Sequence, residues 1–171
     1  GNGDLEKALS VRKNISVHTL EPNLNTVYHI EMGDIFSEMG FFDKSFEYYL
    51  FANKSNVDLR SNKRINQRLK KLVRMELDEH HIGLLLLTED NPININILML
   101  AQSFSMARNS SSDLKDVFSS IDYNVLPREL RSSHRYLDKN ISNNNSFGMK
   151  MGVVLPLSGK NATQAKAFLS G

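Results

Sequence analysis

Apolar residues recur at three- and four-residue spacing through most of the first 141 residues, a period that predicts helices. From Val27 to Ala52 the pattern predicts two helices meeting at Gly40, where a missing Cβ permits the positive φ that ends a helix. From Ser61 to Leu87 it predicts one long helix. Ile65, Leu69, Leu72, Val73 and Leu77 run into Leu84 and Leu87 close to the helical period, with Gly83 as a weak point. Asp90-Asn-Pro92 ends that helix, because a residue before proline avoids the helical region. Ile93 to Ser120 predicts a further hairpin. Leu98, Ala101, Phe104 and Ala107 form one apolar face, and Leu114, Val117, Phe118 and Ile121 form the other. Pro127 opens a last helix, Arg128 to Asn140, with Leu130 and Leu137 facing inward. The Asn- and Ser-rich stretches Asn109 to Ser112 and Ser142 to Ser146 mark loops.

The pattern changes near the end of the chain. Met151 to Leu155 is a short apolar run that reads as a buried strand, stopped by Pro156, which cannot donate to a strand ladder. Ser158 and Gly159 stand where a helix would begin, and serine is a good N-cap. Ala162, Ala165, Ala167, Phe168 and Leu169 follow at roughly helical spacing. One strand and one helix cannot bury both faces of a sheet. The expected organisation is therefore a helical domain over 1–141, an Asn-rich linker over 142–149, and the truncated start of an α/β domain over 150–171. The fold class expected is all-α, with a short C-terminal strand-helix fragment.

Val27 to Ala52 resembles a tetratricopeptide repeat, a helix-turn-helix of about 34 residues. Met32-Gly33 stands at the family's Leu-Gly pair, and Phe36 at the next aromatic site. Gly40 and Phe42 match the turn glycine and the aromatic after it. Ser45 replaces a small alanine, Tyr49 matches an aromatic, and Ala52 is the final alanine. His29 and Val57 depart from the family's tryptophan and proline. Gly3 to Leu9 is similar to the second half of an earlier repeat, with Pro22 near its closing proline. The resemblance implies helical hairpins in a right-handed array that binds protein surfaces.

Gly152 to Gly159, with Ala162 and Gly171 behind it, resembles the first strand, loop and helix of type I periplasmic ligand-binding domains. Ala165 replaces a glycine frequent in that helix. In that family the loop, here Ser158 and Gly159, borders the ligand cleft. Repeats followed by such a domain resemble penicillin-binding-protein activator lipoproteins of the bacterial outer membrane. The resemblance implies a non-catalytic periplasmic protein that docks on a peptidoglycan synthase, anchored through a removed N-terminal lipoprotein signal. Two other readings stay open. One is the helical arm of a periplasmic receptor for an amino-acid-like solute, which needs the missing C-terminal domain for a small ligand. The other is a cytoplasmic helical-repeat scaffold.

Composition narrows the chemistry. The chain of 171 residues carries a formal charge of +2, so no global field calls for nucleic acid. Cysteine is absent, which excludes disulfides, thiol catalysis and cysteine-based metal sites. No apolar run is long enough to span a bilayer; Ile82 to Leu87 is the most apolar patch. Nucleophile elbow, P-loop and dinucleotide fingerprint are missing, so neither an enzyme nor a cofactor is expected. Glu79-His80-His81 lacks the four-residue histidine spacing of a helical zinc pair, and no metal is expected.

Two features are candidates for partner binding. Arg60, Lys63, Arg64, Arg68, Lys70, Lys71 and Arg74 form a cationic row with no acid among them. On a helix Arg60, Arg64, Arg68 and Lys71 line one side. Such a row is either a solvated face or a grip on an acidic protein or envelope polymer. It interleaves no aromatic residue, which argues against nucleic acid. The second feature is aromatic. Phe36, Phe42, Phe46 and Tyr49 are expected in the core, while Tyr48 and Phe51 are candidate partner anchors on an outer face.

Overall fold

The computed structural model describes residues 21–54 and 58–143, together with Ser10. The segment Gly3 to Leu9, residues 144–149 of the expected linker, and 150–171 with Ser158 and Gly159 lie outside the described residues. The described part is all-α. Its helices are α1 (Pro22–Glu38), α2 (Phe42–Lys54), α3 (Leu59–Leu72), α4 (Glu79–Thr88), α5 (Pro92–Arg108), α6 (Leu114–Ser119) and α7 (Arg131–Ser142).

α1 opens with Pro22 in its first turn, where a missing N–H leaves no intrahelical bond unmade. It ends at Gly40, whose φ is +79°. Phe41 N–H donates to Phe36 C=O at 2.9 Å and Gly40 N–H to Ser37 C=O at 3.1 Å, which closes the helix end. The chain reverses into α2, and the two helices meet at small residues. Ser45 Oγ donates to Gly33 C=O at 2.8 Å. The Tyr49 ring lies flat against Gly33, so that a Cβ there would fall 2.8 Å from Tyr49 Cε1.

α3 starts under an Asp58 cap, whose carboxylate accepts from Arg60 N–H at 2.8 Å and Ser61 N–H at 3.1 Å. The single long helix expected over Ser61 to Leu87 is instead two helices. The chain leaves α3 at Val73 and re-enters a helix at Glu79, capped by Asp78, whose side chain accepts from His80 N–H at 2.9 Å. Long-range partners hold the break open. Arg108 at the end of α5 donates to the carbonyls of Arg74 at 3.2 Å and Met75 at 2.6 Å, satisfying acceptors that a helix end exposes. Asp78 N–H donates to Asp43 at 2.8 Å. Leu77 is buried inside the turn, so the apolar period runs unbroken through a backbone that is not helical.

Gly83 is not where the chain bends. It lies within α4, and nothing stands within 4 Å of the position its Cβ would take. Gly83→Ala is therefore expected to stabilise the protein by about 0.5–1 kcal/mol, by restricting the unfolded chain and favouring the helix. A thermal melt checks this, and a lowered midpoint would contradict the open space seen here.

α4 packs against α5 rather than folding back on α3, and α5 also touches α2 and α6. α5 is the central element, with Ile97, Leu98, Leu100, Ala101, Phe104 and Ala107 all buried. These join Phe46, Tyr49, Ile65, Leu69, Leu130 and Leu137 in one core. α6 ends at Ser119, so Ile121, expected on its apolar face, is buried just beyond the helix, and Asp113 makes no side-chain cap bond to start it. The last helix begins later than Arg128, because Leu130 and Arg131 N–H groups both turn back to Pro127 C=O. It runs through Ser142, so the first residue of the expected linker is helical.

Candidate functional site

The cationic row folds onto α3. Arg64, Gln67, Arg68, Lys70, Lys71 and Arg74 line a groove of about 470 Å³. The spacing of those from Arg64 to Lys71 places them on one side of the helix, with Arg74 in the turn just beyond it, while Ile65, Leu69 and Leu72 bury the other side. Three of the four cations expected to share a side, Arg64, Arg68 and Lys71, come together here. Arg60 does not line the groove; it is exposed in the first turn, beside the Asp58 cap. Gln67, Lys70 and Arg74 take part in its place.

The row has no acid of its own, but α1 supplies two. Arg64 pairs with Glu31 at 3.2 Å and with Asp34, and Arg68 Nε pairs with Asp34 at 2.9 Å. Asp34 is only 15% exposed. It also accepts a hydrogen bond from the Tyr49 hydroxyl at 2.6 Å. Burial first, and that bond second, push the Tyr49 phenol well above its ordinary value. Arg64 and Arg68 are thus neutralised from within the fold. Lys70 and Lys71 have no carboxylate partner among the described residues.

Arg74 is held differently. Its Nε donates to the buried Ser133 Oγ at 3.0 Å, and its guanidinium lies 5.1 Å from the Tyr136 ring and 6.0 Å from Phe104. These partners lie on α5 and α7, so nothing near Arg74 in the sequence announces them. The clue present in the sequence is the Glu31 and Asp34 pair, three apart on α1, opposite Arg64 and Arg68, four apart on α3.

The aromatic candidates lie on the α1–α2 hairpin. Tyr28, His29, Phe36, Lys44, Glu47, Tyr48 and Phe51 line a cleft of about 300 Å³. Tyr48 is half-buried and stacks on Phe36 with centroids 5.3 Å apart. Phe51 is 42% exposed and lies 5.4 Å from the His29 ring. Phe36, Phe46 and Tyr49 are buried, and Phe42 packs against the core at its edge.

His29 Nδ1 is buried with no hydrogen-bond partner, and burial lowers the imidazole pKa below its ordinary 6.5. Burial also lowers His134, against an opposing pull from Asp138; its ring stacks on Phe118 at 4.4 Å. Both residues are held neutral, so their stabilisation is complete above pH 6.5 and is lost as pH falls below that value toward the lower folded pKa. The melting temperature is expected to drop between about pH 7.5 and about pH 5.5, and His29→Gln is expected to shrink the drop. An unchanged pH slope in a His29→Gln/His134→Gln variant would assign the effect to other groups.

Among the described residues no three His, Cys, Asp or Glu side chains gather to hold a metal ion. No described helix is long and apolar enough to cross a membrane. Compared with known proteins, the chain matches no family model, no curated protein and no solved structure.

Proposed function

We propose that this chain is a non-catalytic helical interaction module that docks a protein partner through the groove on α3. The observation that carries the reading is the set Lys70, Lys71 and Arg74, with Lys71 and Arg74 exposed and Lys70 half-buried, all three without carboxylate partners among the described residues beside a neutralised Arg64 and Arg68. A solvated face would not need Arg74 fixed by three neighbours from two other helices. The Gly33, Ser45 and Tyr49 packing supports a tetratricopeptide-like hairpin as the unit of a right-handed array. The resemblance of 150–171 to a periplasmic-binding domain supports an envelope lipoprotein, and a peptidoglycan synthase of the penicillin-binding class as the partner.

The test is an affinity pull-down from envelope extract, with this chain and its Lys70→Ala/Lys71→Ala variant as parallel baits. Capture of a peptidoglycan synthase by this chain, and its loss by the variant, is the expected result. Capture of no protein, with a small solute co-purifying on this chain, would replace this reading with the helical arm of a solute receptor.

A further inference from the structure

We infer that the α3 groove takes an extended acidic peptide segment of the partner, with Lys70, Lys71 and Arg74 as its carboxylate-binding residues. The inference rests on the docking function just proposed and names what the groove recognises.

The same helix face already binds carboxylates. Arg64 and Arg68 hold Glu31 and Asp34 from α1, so these two cations are in use. The cations one to two turns further on are free of acids among the described residues and offer the same chemistry to an outside chain. Arg74 is already positioned by Ser133 and Tyr136, which lowers the ordering cost of a charge-assisted bond. Gln67 adds an amide among the cations, with both a donor and an acceptor for a peptide backbone. From Arg64 to Leu72 the helix rises about 12 Å, at 1.5 Å per residue, and Arg74 follows in the turn beyond it. An extended chain covers that length in roughly four residues. Glu31 and Asp34 stand at the Arg64 end of the face, where they oppose a phosphate chain that runs on past it. No aromatic residue of α3 offers a base a stacking surface.

The probe is a capped, fluorescein-labelled hexapeptide of alternating Glu and Asp, read by anisotropy on the whole chain, with its Gln and Asn analogue as control. Lys70→Ala/Lys71→Ala is expected to weaken binding about tenfold, and raising salt from about 50 to about 300 mM to weaken it further. Glu31→Gln removes one carboxylate from the face and leaves Arg64 paired with Asp34 alone, and is expected to tighten binding about twofold, a gain that a misfolded variant would not show. Equal binding by wild type and the double variant, equal binding of the neutral peptide, or no binding at all would overturn the inference, whether or not a synthase is captured. Tighter binding of a single-stranded oligonucleotide or a sulfated glycan than of the peptide would overturn it too. If the peptide binds as expected and envelope extract yields no partner, the groove assignment stands and the docking function fails.

Discussion

Gly33→Val is expected to destabilise the protein by about 3 kcal/mol, the larger share of it through overpacking. The cause is a contact rather than backbone freedom. A Cβ at Gly33 alone would meet Tyr49 Cε1 at 2.8 Å and Cζ at 2.9 Å. Tyr49 has no room to yield, since it is buried and its hydroxyl is tied to Asp34 at 2.6 Å. Either the ring moves and that bond is lost, or α1 and α2 separate and Ser45 Oγ loses Gly33 C=O. Denaturant unfolding measures the effect, and Gly33→Ala should fall between wild type and valine. Alanine at wild-type stability would mean that the two helices have slack at this crossing.

Glu89→Ala is expected to cost about 2 kcal/mol, by leaving part-buried donors without their acceptor. Glu89 ends α4 and is only 7% exposed. Its carboxylate accepts from Asp90 N–H at 3.0 Å, Asn91 N–H at 2.9 Å and Asn94 Nδ2 at 3.1 Å, and pairs with Lys54 at 2.9 Å. The Lys54 ammonium is pushed up in pKa, by its hydrogen bond to Glu89 above all. Lys54 is itself over a third exposed, so the ion pair is screened and most of the loss comes from the uncovered donors. The damage spreads through Asn94, which is fully buried and bonds Leu50 C=O at 3.0 Å and Asn53 at 2.8 Å. Glu89→Gln keeps the shape and should recover about half of the loss, as urea unfolding of the pair will show. A loss under about 1 kcal/mol for alanine would mean that water takes over the carboxylate's bonds.

What the sequence discloses and what it hides separate by distance along the chain. The α1–α2 hairpin is legible because Gly33, Gly40 and Ser45, which shape it, lie within one short segment. The gap between α3 and α4 is not. Val73 and Leu77 keep the helical period through it, while Arg108, which satisfies the freed carbonyls, comes from the end of α5. A local sign was present in Asp78 and Glu79, a capping residue followed by an acid in the first turn. The cationic row is legible as a row, yet its division is not. Acids on α1 occupy Arg64 and Arg68, and a serine and a tyrosine on α7 fix Arg74. Arg60 shares a helical side with Arg64 on paper, but the groove begins one turn later.

Arg74 has a mechanical consequence. Its carbonyl is gripped by Arg108 and its guanidinium by Ser133, with Tyr136 stacked beneath. Tension applied at the C-terminal end of the groove therefore enters α5 and α7 together, instead of peeling α3 from its free end. Load shared across several anchored helices is borne in parallel, and detachment requires them to give way at once. A face built this way keeps its shape under load.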